Sequence, residues 1–134
     1  AVYGNCHSST REDFRTISKH AEYARKILDK YGYVHAEHHL NEWNLWTDRY
    51  HRDSIVASSK TLGFMLMMQN TSVDVMCYHD AGLGFSDYRS LFNADTGTPY
   101  RTYYAFMTFN SLYKLKSSII TLHIMINNPK RFGV

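Results

Sequence analysis

With 134 residues, the chain is long enough for one compact domain and too short for two ordinary ones. Its 44% hydrophobic and 20% charged content suits a soluble globular protein, and no run of 18 or more apolar residues exists to span a membrane. The formal charge of +3 is spread without a run of Lys or Arg, which argues against a nucleic-acid partner.

Ser9 and Thr10 stand three residues before Glu12 and Asp13, the spacing of a helix capping box. Phe14, Ile17, Ala21, Ala24, Leu28 and Tyr31 then recur every three or four residues, which predicts a helix over about 11–31. Gly32 supplies its stop, since glycine takes the left-handed conformation that helix ends favour. Val34 to Glu42 reads as a strand. Strict alternation would put Val34, Ala36, His38, Leu40 and Glu42 on its packed inner face, and His35, Glu37, His39 and Asn41 on the other. Asp53 or Ser54 can cap a second helix running to about Asn70, with Ala57, Ser58, Ser59 and Gly63 small enough for close approach to a sheet. Its methionines read as core filling. Val73–Tyr78 is a short strand rich in β-formers, in which Cys77 is expected to be a small buried thiol. A loop with Gly82, Gly84 and Asp87 follows. Thr98-Pro99 opens a third helix, with Ala105, Phe109 and Leu112 on one face. The tail alternates through Ile120, Leu122, Ile124 and Ile126, a further strand ending at Asn127-Asn128-Pro129.

Strands alternating with helices imply an α/β fold with parallel strands. Parallel sheets are buried on both faces, so two such strands need more than they can supply to each other. The remainder is expected from an upstream segment or from a partner chain, and homo-oligomerisation is one way to obtain it. Cys6 and Cys77 fit neither a zinc spacing nor a redox pair. The first residues, AVYGNCHSS, lack the charged and apolar regions of a signal peptide, as a processed secreted chain also would.

In folds of alternating strands and helices, reactive groups sit where strands end and loops begin. Glu42 meets that rule on the first strand, between Asn41 and Trp43; Tyr78, His79 and Asp80 meet it on the second. A carboxylate beside aromatic rings suits glycoside cleavage: the acid attacks the anomeric carbon or handles a proton, and the rings stack on the sugar.

Leu40-Asn41-Glu42-Trp43-Asn44 resembles the segment that carries the nucleophile in retaining glycoside hydrolases of the large (β/α)8 clan, most of all family 39, which includes β-xylosidases. Tyr78-His79-Asp80, Tyr88-Arg89-Ser90-Leu91-Phe92, Pro99, and Thr102 to Phe106 with Phe109, Asn110 and Leu112 are similar to that family's last strand and helix. The resemblance covers about residues 12–115. It implies a partial (β/α)8 TIM barrel, its last two βα units, over residues 1–116. Residues 117–134 would begin a β-rich accessory region. It further implies Glu42 as nucleophile on the seventh strand, with Trp43, Asn44, Trp46, Tyr78 and Asp80 beside a β-linked, xyloside-like carbohydrate. Neither cofactor nor metal is implied, and the family's setting favours a secreted or periplasmic location.

Position 41 is Asn where the nucleophile segment more often has Thr; an Asn-Glu pair instead resembles the segment that carries the acid/base residue on the fourth strand of the same clan, and no second Asn-Glu pair occurs in the chain. Retaining hydrolysis uses two carboxylates about 5 Å apart, so the isolated chain is expected to lack an acid/base partner. A non-catalytic carbohydrate-binding or assembly module is the alternative, and a small α/β protein unrelated to sugars is another. His35, Glu37 and His39 are residue types that bind zinc, but alternating His and Glu more often make ordinary hydrogen bonds. No glycine elbow exposes a serine, and no GxGxxG or P-loop implies a nucleotide.

Overall fold

The computed structural model describes residues 15–44, 53–79, 81 and 91–115. The expected capping box at Ser9–Asp13, Cys6, Trp46, Asp80, the 82–90 loop and the 117–134 strand lie outside the described residues.

The element order is α1 (Arg15–Lys30), β1 (His39–Trp43), α2 (Ile55–Met68), β2 (Val75–Tyr78) and α3 (Arg101–Lys114). The two strands pair in parallel and α2 lies between them in the chain, so the described chain is an α/β fold of three helices and a two-stranded parallel sheet.

In α1, Ile17 packs against the core and Ala21 is buried, whereas Tyr31 is exposed and falls off the expected stripe. The Arg25 guanidinium lies 2.8 Å from Asp29 one turn on, a favourable helix-surface pair. Gly32 stops the helix as expected, with φ +84°. Its N–H donates to the Asp29 carbonyl and that of Tyr33 to the Leu28 carbonyl, which satisfies the last carbonyls by a Schellman turn. Arg25 then donates to the Ala36 carbonyl at 2.7 Å and to the Tyr33 carbonyl. These bonds hold Tyr33 to Ala36 in turns, and β1 accordingly starts at His39 rather than Val34.

Ser54, not Asp53, caps α2: its hydroxyl accepts the Ala57 N–H at 3.1 Å. Asp53 serves the other helix. No side chain of the N-cap residue Tyr100 caps α3, and the Asp53 carboxylate accepts the Arg101 N–H at 2.6 Å. A carboxylate at a helix N-terminus is also favoured by the helix dipole. Ser58 donates to the Arg101 carbonyl at 2.9 Å, so α2 and α3 begin side by side. Pro99 sits two residues ahead of α3, where it pairs with Phe92 in an antiparallel bridge. The Asn93 side chain accepts the Asp95 and Thr96 N–H groups inside that turn, and Gly97 takes φ +68°.

The core gathers Trp43 from β1, Phe64, Met65 and Met68 from α2, and Ala105 from α3, with Ile17, Leu40, Met76, Tyr78, Phe106 and Phe109 packed against it. One face of the sheet therefore carries Leu40, Trp43, Met76 and Tyr78 toward the helices. The methionines fill core space as expected. Ala57 is fully buried, but a Cβ added at Gly63 would meet nothing within 4 Å, so close approach does not need that glycine.

Candidate functional site

The candidate site is the C-terminal edge of the parallel pair. Trp43 lies across from Tyr78, the His79 N–H donates to the Trp43 carbonyl at 2.8 Å, and the Asn44 side chain donates to the His79 carbonyl. Asn44 thus clips the two strand ends together through backbone atoms. At the other end the Asp74 carboxylate accepts the His38 N–H at 2.8 Å, and the Asp74 N–H donates to the His38 carbonyl at 2.9 Å.

The ladder advances three residues on β1 (Leu40 to Trp43) against two on β2 (Met76 to Tyr78), so β1 carries one extra residue as a bulge. This overturns the strict alternation expected along β1. Leu40 and Trp43 both turn to the helices, and Glu42 does not share a face with Leu40. Glu42 is exposed, one residue before the strand ends. Among the described residues its carboxylate has no hydrogen-bond or ion-pair partner.

The structure separates Glu42 from the aromatic rings expected beside it. Trp43 is 5% exposed; its ring centroid lies 4.8 Å from that of Phe64, 4.9 Å from Tyr78 and 6.1 Å from Phe106. Tyr78 is half-buried and meets Phe106 edge-on at 5.0 Å. These tilted, edge-on and stacked contacts hold both rings in the core. As placed, Trp43 has no free face to stack on a sugar, which corrects its assignment as a sugar contact. Asn44 likewise spends its amide on the strand clip. Of the remaining expected contacts, Trp46 and Asp80 fall outside the described residues.

Cys77 is an exposed free thiol rather than a buried one. The reason is parity: Met76 and Tyr78 take the core face of β2, so Val75 and Cys77 take the other, where Val75 is also exposed. His39 and Glu37 form an exposed pair at 2.8 Å, of the weak surface kind. Among the described residues no three His, Cys, Asp or Glu side chains are placed to hold a metal ion. None of the described helices is long and apolar enough to cross a membrane.

Sequence reasoning missed three features here: the bulge, the aromatic cluster and the Asn44 clip. Alternation gives no warning of a bulge, because one inserted residue leaves composition unchanged. Strict alternation places Trp43 on the face opposite Leu40, and Phe106 falls beside the expected Ala105, Phe109 and Leu112 face, so the cluster had no signal in the spacing either. Comparison of the chain with protein families, with characterised protein sequences and with solved structures found no match.

Proposed function

We propose that this chain supplies part of a retaining glycoside hydrolase of the (β/α)8 type, acting on β-linked, xyloside-like carbohydrates, with Glu42 as nucleophile. The observation that carries the reading is an exposed carboxylate, unpaired among the described residues, near the C-terminal end of a parallel strand whose end the Asn44 clip ties to its neighbour. That end is where barrels of this architecture keep their chemistry. The segregation of all helix-packed residues to one face of the sheet is further support, since a barrel wall has its helices on one side.

In the proposed reaction a Glu42 carboxylate oxygen attacks the anomeric carbon as the bond to the leaving oxygen breaks. A proton on that oxygen comes from a second carboxyl group. Water then gives a proton back to that second group as it displaces Glu42 from the anomeric carbon, which restores both carboxyl groups. In this reading the second group comes from outside the described residues; Glu37, the nearest acid in sequence, lies ahead of β1 and is hydrogen-bonded to His39 at 2.8 Å.

Purified chain assayed with aryl β-xylosides tests this. Turnover that Glu42→Gln lowers by about three orders of magnitude or more supports the reading, as for loss of a catalytic nucleophile. The lack of a second Asn-Glu pair in the chain favours a second reading, a non-catalytic carbohydrate-binding or assembly module of the same fold. Sugar binding without turnover would select it. Neither binding nor turnover would reject both.

A further inference from the structure

We propose that the outward face of α1 is a docking strip for an acidic polysaccharide. The inference rests on the carbohydrate reading for the nature of the polymer, and on α1 alone for the place. Lys19, Lys26 and Lys30 are seven and four residues apart, so they fall within roughly 40° of one another around the helix. Tyr23, Ile27 and Tyr31 recur every four residues and run beside them. All six are exposed, the two tyrosines by 67% and 69%. None of the three lysines is in an ion pair among the described residues, and Lys30 lies 5.7 Å from the centre of the Tyr31 ring. Of the acids in α1, Asp29 is occupied by Arg25 at 2.8 Å, and Glu22 lies toward the border of the strip. The opposite face is spent on the core through Ile17 and Ala21, and the Ser72 hydroxyl donates to the Ala21 carbonyl at 3.3 Å.

The strip complements a polymer with carboxylates and ring faces: lysines meet the carboxylates and tyrosines stack on the sugars. Its charge density argues for this partner over nucleic acid. The three lysines span a helix rise of about 16 Å, one positive charge per roughly 8 Å. Duplex DNA presents one negative charge per about 1.7 Å. A lipid surface fits less well, because interfacial helices insert an apolar face and the aliphatic stripe of α1 is already buried, leaving Ile27 alone on the strip.

The test is calorimetric titration of the full chain with polygalacturonate at low salt, beside its methyl ester, polyglutamate and single-stranded DNA. The expected result is binding of polygalacturonate that falls about tenfold or more on esterification, since several exposed ion pairs are lost together. A similar loss is expected in Lys19→Ala/Lys26→Ala/Lys30→Ala and in Tyr23→Ala/Tyr31→Ala, with unchanged circular dichroism in both. Wild-type affinity in both variants would overturn the proposal, as would tighter binding of polyglutamate or DNA. Glu42→Gln must bind like the wild type here, so loss of xyloside turnover and loss of docking are read separately.

Discussion

At the residue scale, three buried polar atoms lack partners among the described residues: Trp43 Nε1 and the hydroxyls of Thr61 and Thr102, both threonines fully buried. A buried group without a hydrogen bond forfeits the water it left, at a cost of about 1–3 kcal/mol. Thr61→Val keeps the shape and removes the stranded hydroxyl. Urea unfolding should move to higher midpoint by roughly 1 kcal/mol, and a lower midpoint would mean that the hydroxyl has a partner after all. Trp43 also marks the limit of reading side chains one at a time. An aromatic beside an acid suits a sugar platform, but the same ring suits a core, and neighbours in sequence do not choose between them. Phe64, Tyr78 and Phe106 make that choice, and each is at least 21 residues away in the chain.

At the element scale, the two glycines Gly32 and Gly63 separate conformation from space. A Cβ meets nothing within 4 Å at either position, but Gly32 has φ +84° and Gly63 lies inside α2. Gly32→Ala should therefore destabilise by about 1 kcal/mol or more through left-handed backbone strain. Gly63→Ala should stabilise by a similar amount, about 1 kcal/mol, through helix propensity. Opposite shifts in thermal midpoint check both, and shifts of one sign would contradict the backbone assignments. The helices were legible in sequence because their apolar spacing and caps are local: the stripe through Ile17 and Ala21, the stop at Gly32 and the cap at Ser54 all appear as expected. The start of β1 was not, since it depends on Arg25 fastening the Tyr33 and Ala36 carbonyls from the preceding helix. The start of α3 depends in the same way on Asp53, 48 residues earlier.

At the scale of the whole molecule, the helices cover one face of the sheet and Val75 and Cys77 point away from it, exposed. Parallel sheets are normally covered on both faces, and open strand edges recruit further strands. The chain is therefore expected to associate. Light scattering coupled to size-exclusion chromatography should give a mass above the 15.7 kDa of one chain. A compact, concentration-independent monomer would count against both the association and the shared barrel.

What the amino-acid sequence determined alone is what depends on near neighbours: helix spacing, caps, β-rich segments, and thereby the alternation of helix and strand that makes an α/β fold. It also singled out Glu42 near the end of β1, because the close of that segment is marked by the polar residues that follow it in sequence. The tertiary structure decided which way the strand faces. One extra residue in β1 turned Leu40 and Trp43 together onto the helices, took the Trp43 ring from the open edge, and left Glu42 in solvent. Facing is set by which side chains gain most from burial across the whole core, and that sum runs over residues far apart in the chain.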